Sequence, residues 1–226
     1  MDQELLNSIS GYTSKLLRKN FGKGPQSCQS SISGNLLVIY IRGFISPMEE
    51  VLINQGQRIE VERARTFVIN HLLEELKGMI EVSLDREIEG FYHDWNFPNN
   101  SGAVIFILNE MERDISYVDP TVDIPQLEKE IARISYLVQK VPDQVKVFPI
   151  SSTIYLVERI GILVRIEQSL IQKGFEEELR IAKDELEKSY LHRYGKFHEI
   201  FNKQVRDIFV AWNLKDDKSM IAFILH

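Results

Sequence analysis

The chain contains 226 residues, of which 44% are hydrophobic, 10% aromatic and 27% charged, a balance that excludes the disordered and fibrous classes and predicts a soluble globular protein. Lysine and arginine number 27 against 33 for aspartate and glutamate, and the net charge of −6 argues against general binding to nucleic acids or anionic membranes. The single cysteine, Cys28, excludes an internal disulfide and a multi-cysteine metal site and favours a reducing cytoplasm.

Export and membrane insertion are both disfavoured by the distribution of apolar residues. The N-terminus has neither the basic start nor the apolar segment of a signal peptide. The most apolar runs, residues 36–41 and 103–108, contain six residues each, whereas a spanning helix needs roughly 20. We therefore expect a cytoplasmic protein that does not span the membrane, and a peripheral position at the inner face of the membrane stays open.

The two halves of the chain match each other in order. Residues 91–97 match residues 208–214 at an offset of 117, which places Trp95 on Trp212, and residues 52–56 match residues 170–174 at an offset of 118. Such an ordered series predicts a duplicated unit. The predicted organisation is a first unit at residues 1–112, a linker at residues 113–122 and a second unit at residues 123–226.

Each unit is predicted to begin with an amphipathic helix and a strand pair. Apolar residues recur at intervals of three and four up to Phe21 and again across residues 124–140, as in helices that bury one face. Gly22 and Gly24 can take a left-handed cap, and Pro25 and Pro142 prevent continuation. The strand pairs are expected at residues 26–33 with 35–43 and at residues 145–150 with 153–161.

A long helix is predicted next in each unit, at residues 49–89 and 167–206, neither of which contains proline. Forty residues would span about 60 Å, longer than one small unit needs. We therefore expect the two long helices to pack on each other in a pseudo-twofold internal dimer; a further homodimer stays open. The offset between matched residues of the two units changes by one residue along these helices, and this change predicts a kink near Gly78 or Gly195.

Each unit is predicted to end in a hairpin, formed by residues 90–97 with 102–109 and by residues 207–215 with 219–226. The predicted fold class is α+β: a tandem repeat of helix, strand, strand, long helix, strand, strand. Helices are expected on one face of each antiparallel sheet.

Several of these segments resemble the MpsC-like family. The resemblance rests on residues 22–25, on the segment from Arg42 to Leu52 and on the last strand pair of the first unit. The second half is similar but degenerate, with Val141 in place of Gly24 and Arg165 in place of Pro47. The family motif residues are Gly22, Gly24, Pro25, Gly43, Pro47 and Glu49.

The resemblance implies a small protein linked to a bacterial membrane system that generates membrane potential or takes up inorganic carbon. It implies no established reaction. Members with one unit are usual, so two copies leave open whether both units keep the same role.

Two of the motifs are also explained by helix ends alone. Residues 22–24 follow a helix C-terminus, where the dipole repels anions, and this favours capping over a phosphate site. Ser46, Pro47 and Glu49 suit the N-cap, the first turn and the third position of a helix. A functional role for this helix start is compatible with the capping role.

No catalytic residue, metal site or cofactor is predicted. His192 and His198 are six residues apart and do not have the spacing of zinc ligands on a helix. Cys28 has no histidine within its motif and is interpreted as an ordinary strand thiol. The sequence also lacks the aromatic and basic strand motif of RNA-binding units.

Trp95 and Trp212 have two interpretations. The simpler one places both tryptophans in the sheet core. The other has Tyr92, Trp95, Phe209 and Trp212 form an exposed aromatic surface that docks a partner protein.

The first functional hypothesis is a non-enzymatic accessory or regulatory protein that binds a partner, for which the resemblance implies a transporter subunit of an ion or bicarbonate uptake system. The alternative is a sensor that holds a small anion or metabolite between the two units, near Lys23, Arg42 and Arg159. A hydrolase or transferase is the least favoured, because no catalytic motif was found.

Overall fold

The computed structural model describes residues 3–110 and 117–226. These residues form two compact units. The first runs to residue 110, apart from Tyr92–Asp94, which group with the second, and the second continues from residue 117. The predicted end of the first unit at residue 112 and the first part of the predicted linker lie outside the described residues.

The first unit carries a four-stranded antiparallel sheet with strand order β1-β2-β4-β3. Its elements in chain order are α1 (Gln3–Phe21), β1 (Ser27–Ser33), β2 (Leu36–Arg42), α2 (Pro47–Asn54), α3 (Arg58–Leu84), β3 (Ile88–Asn96) and β4 (Ser101–Leu108).

The second unit repeats this arrangement with strand order β5-β6-β8-β7, except that two helices, the second of them short, stand in place of α3. Its elements are α4 (Ile124–Val138), β5 (Gln144–Ser151), β6 (Ile154–Ile160), α5 (Arg165–Gln172), α6 (Glu176–Tyr194), α7 (Phe197–Phe201), β7 (Val205–Asn213) and β8 (Lys218–Leu225). The shared element order and strand order confirm the predicted α+β class and agree with the predicted tandem repeat.

Strand pairing shows which residues of the two units are equivalent. Ile41 in β2 lies opposite Cys28 and Gly102, and Arg159 in β6 lies opposite Val145 and Ser219. Ile41 and Arg159 therefore occupy the same position in their sheets.

The predicted forty-residue helices are wrong, because each is interrupted by a glycine in the left-handed region. Gly56 has φ +80° between α2 and α3, and Gly174 has φ +85° between α5 and α6. A residue with a side chain adopts this conformation only at a cost. Gly195 ends α6, as expected, whereas Gly78 lies inside α3 without a break. The 60 Å length that suggested an internal dimer is therefore absent, and the pairing of the units stays a prediction.

The helices bury one apolar face against the sheet of their own unit. In the first unit, α1 contributes Leu6, Ile9, Leu16 and Leu17 to the core. Each large apolar side chain that becomes fully buried contributes about 1.5–3 kcal/mol. Gly22 takes the left-handed conformation expected after α1, with φ +72°; Gly24 does not, and packs against Arg18.

The segment before α4 is attached to the core of the second unit. Val122 lies in that core, and the Tyr155 hydroxyl donates a hydrogen bond to Asp119 Oδ2 at 2.5 Å. Within the described ranges, every helix lacks the combination of length and apolar character that bilayer crossing requires.

Candidate functional site

The family motif of the first unit forms a sharp elbow between β2 and α2. Gly43 has φ +70° and donates its backbone N–H to the Asn100 carbonyl at 2.7 Å. A Cβ at Gly43 would lie 2.3 Å from the Gln26 side chain. The positive φ and the close approach of the Gln26 side chain both favour glycine at this point.

Helix α2 starts with a reciprocal capping box. The Ser46 backbone N–H donates to Glu49 Oε2 at 2.8 Å, and the Glu49 backbone N–H donates to Ser46 Oγ at 3.4 Å. Pro47 occupies the first turn, where a missing N–H is tolerated. The helix start predicted from the sequence is confirmed.

The same Glu49 carboxylate binds a buried arginine of α3. Arg65 Nε donates to Glu49 Oε1 at 2.9 Å and Arg65 Nη2 donates to Oε2 at 2.7 Å. The exposed fraction of Arg65 is 1% and that of Glu49 is 6%. Removal of either partner would leave an uncompensated charge in the interior. Glu49 therefore caps the N-terminus of α2 and links α2 to α3 through an ion pair.

Three aromatic rings surround the Arg65 guanidinium. Its central carbon lies 4.2 Å from the ring centroids of Phe21 and Phe44 and 4.9 Å from that of Trp95. Cation–π contacts of this kind stabilise a desolvated guanidinium. Burial lowers the pKa of Arg65, and the hydrogen bonds and charge of Glu49 oppose this shift.

The second unit keeps the ion pair with different partners. Glu167, at the third position of α5, accepts the Val164 backbone N–H at 2.8 Å and pairs with Lys183 at 3.0 Å. Lys183 also donates to Gln139 Oε1 at 2.6 Å. In both units the carboxylate and the cation are 16 residues apart. Valine at the cap position has no acceptor, so only the carboxylate half of the capping box remains.

A second buried carboxylate, Glu187, extends this network. It pairs with Lys183 at 3.1 Å, accepts the Trp212 indole N–H at 3.0 Å and accepts Arg159 Nη2. Burial alone would raise the pKa of Glu187, but the two cations outweigh it and the net shift is downward. Glu187 is therefore held ionised inside the second unit.

The four predicted docking aromatics are all buried, which corrects the expectation of an exposed aromatic surface. Trp95 and Trp212 lie in the cores of the first and second units, as the simpler interpretation predicted. The exposed fractions of Tyr92 and Phe209 are 7% and 2%.

The three predicted ligand-binding cations have different environments. Lys23 is exposed and its Nζ donates to the Ile45 carbonyl at 3.3 Å, and Arg42 is exposed at the end of β2. Arg159 is buried; besides its bond to Glu187, its Nε donates to Ser219 at 2.8 Å and its Nη1 to Ser135 at 3.1 Å. The role that the structure supports for Arg159 is internal pairing. The ligand hypothesis stays a prediction for Lys23 and Arg42.

Cys28 is a half-buried thiol on β1, and burial raises its pKa to about 12. A thiol with such a pKa is a poor nucleophile at neutral pH. In the part of the chain that the structure describes, no group of three or more histidine, cysteine, aspartate or glutamate side chains could hold a metal ion.

Sequence reasoning missed Arg65, Lys183 and Glu187. A signal was available, because all three are charged residues at positions of the apolar helix stripe. Arg65 and Lys183 also follow Ala64 and Ala182, which are separated by 118 residues, the same offset that relates residues 52–56 to residues 170–174.

Comparison with known families bears on the first unit. The sequence model described as "Na+-translocating membrane potential-generating system (MpsC)" matches residues 2–110. The first unit is therefore a unit of the MpsC family. The matched residues contain the whole MpsC elbow, from Gly43 to Glu49, and its partner Arg65.

The second unit lies outside the residues that the MpsC model matches. Its relation to MpsC rests on the repeated fold, which agrees with a tandem copy. No curated protein and no solved structure gives a significant match to the chain.

Proposed function

We propose that this MpsC-family protein is a non-enzymatic accessory or regulatory protein that binds a membrane subunit of a Na⁺-translocating, membrane potential-generating system. The observation that carries the proposal is the family match over residues 2–110, which includes the complete elbow. A cytoplasmic location is part of the proposal.

The outer side of the elbow is the contact surface that we assign to this partner. The exposed fractions of Met48 and Val51 on α2 are 72% and 56%. Ile166, which follows the α5 cap as Met48 follows the α2 cap, is 67% exposed. Exposed apolar side chains on a rigid element support protein contacts.

The ion pair inside the elbow supports this assignment. Glu49 is bonded to both the α2 cap and Arg65, so α2 is held in place before any partner arrives. A prearranged contact surface loses less conformational entropy on binding than a mobile one.

Site-specific photocrosslinking in the native host tests the proposal. A photoreactive amino acid at Met48 or Val51 is expected to capture an integral membrane subunit that acts in Na⁺ translocation. Val82 on α3 is a matched control, because it is also apolar and 85% exposed. Capture of no membrane subunit from Met48 and Val51, or equal capture from Val82, would contradict the assigned surface.

The identity of the captured subunit also tests the finer hypothesis from the resemblance. Capture of an inorganic-carbon transporter would place the chain in bicarbonate uptake. Capture of a Na⁺-translocating subunit would support the proposal as stated.

A further inference from the structure

The first unit contains a small apolar cavity between α1, α3 and the sheet. The centre of a water-sized sphere can move through about 20 Å³ of it, slightly more than the roughly 10–15 Å³ that one water molecule needs. Its walls include Thr13, Leu17, Ile41, Ile69, Trp95 and Val104.

The walls offer very little to a water molecule. Of the described lining residues, only Thr13 has a hydroxyl, whose Oγ1 already donates to the Ile9 carbonyl at 2.8 Å, and only Trp95 has a side-chain N–H, which is a single donor. A buried water typically makes two to four hydrogen bonds to polar groups. A guest without polar atoms suits these walls better than water does.

The second unit fills the same place with polar side chains that bond to one another. Arg159 is the equivalent of Ile41 by strand register. Glu187 follows Lys183 by four residues, as Ile69 follows Arg65. Arg159 binds both Glu187 and Ser135, and Ser135 stands on α4 where Leu17 stands on α1.

We propose that the first unit binds a small apolar molecule of one to three atoms in this cavity, and that the second unit does not. An unfilled apolar cavity destabilises a protein, because the surrounding structure relaxes only partly around it. A guest that contacts the lining restores dispersion contacts that the cavity lacks. This binding site is independent of the partner surface on α2.

Xenon is the probe, because it is apolar, monatomic and visible in diffraction. Crystals of the full chain under xenon pressure are expected to show one xenon peak among Leu17, Ile69 and Trp95. No peak is expected at the Arg159 and Glu187 position of the second unit. Ordered water in the cavity, absence of xenon from it, or equal xenon in both units would overturn the proposal.

Two substitutions confirm the location. Val104→Ile adds one methyl group at the cavity wall and is expected to lower xenon occupancy roughly twofold or more. Val157→Ile makes the same change in the core of the second unit and is expected to leave the peak unchanged. Unchanged occupancy in Val104→Ile would place the guest elsewhere, and the wild-type peak decides the proposal even if a variant folds poorly.

Discussion

Glu49 and Arg65 are 16 residues apart and join α2 to α3 through hydrogen bonds of 2.9 and 2.7 Å. The second unit joins Glu167 to Lys183 over the same separation. Arg65 places a planar guanidinium among three aromatic rings, whereas Lys183 places an ammonium group beside the Gln139 amide. Each cation pairs with the carboxylate at the start of the preceding helix. The second unit therefore has the same cation charge in different surroundings.

Arg65→Ala is expected to lower the free energy of unfolding of the first unit by about 3–5 kcal/mol, because it leaves Glu49 buried without its cation. Urea unfolding followed by Trp95 fluorescence in a Trp212→Phe background measures this. Arg63→Ala is the control, since Arg63 pairs with Glu60 at the surface of the same helix. Surface pairs contribute about 0–1 kcal/mol, so equal losses in the two variants would contradict a special role for Arg65.

Acid is expected to destabilise the second unit through Glu187. Its pKa is lower in the folded chain than the ordinary 4.5, so its contribution to stability is complete above that pH and is lost as the pH falls below it. The Trp212 indole N–H donates a hydrogen bond to Glu187. Trp212 fluorescence in a Trp95→Phe background therefore reports the acid unfolding of the second unit.

Glu187→Gln is expected to remove this acid transition and to cost about 3–5 kcal/mol at neutral pH, because Arg159 loses its charged partner. Glu185→Gln, on the exposed side of the same helix, should keep the wild-type profile. A Glu187→Gln profile that matches wild type would show that other carboxyl groups govern acid unfolding.

Two glycines of the first unit are expected to respond to alanine with opposite signs. Gly56 has φ +80°, so Gly56→Ala should destabilise by about 1–2 kcal/mol. Gly78 lies inside α3 with no atom near a new Cβ, so Gly78→Ala should stabilise by about 0.5–1 kcal/mol. Thermal unfolding of both variants decides the matter, and stabilisation by Gly56→Ala would mean that the helix can run through the break.

Gly102→Ala is expected to destabilise by about 1–3 kcal/mol through overpacking, because the new Cβ would lie 2.2 Å from the Trp95 ring. A shift of that ring should also change Trp95 fluorescence. Gly90→Ala on β3 meets nothing within 4 Å and serves as the control. Equal stability of the two variants would argue against close packing of Trp95 on this backbone.

Local signals were sufficient for most of the fold. Intervals of three and four predicted α1 and α4, and turn residues placed all four hairpin strand pairs. Ser46 and Glu49 identified the start of α2, because a capping box is formed by neighbours in the sequence. The helix break at Gly56 was missed, since an isolated glycine in an apolar stripe is compatible with a continuous helix.

The sequence by itself determined the repeated α+β unit and its strand pairs, because hydrophobic period and turn chemistry act between residues close along the chain. Only the tertiary structure decided that Glu49 meets Arg65, that Trp95 and Trp212 are core residues, and that Arg159 is enclosed while Arg42 is exposed. These outcomes depend on which side chains of distant segments approach each other and lose water together. Burial and ion pairing of that kind are properties of the packed molecule, and a linear pattern does not contain them.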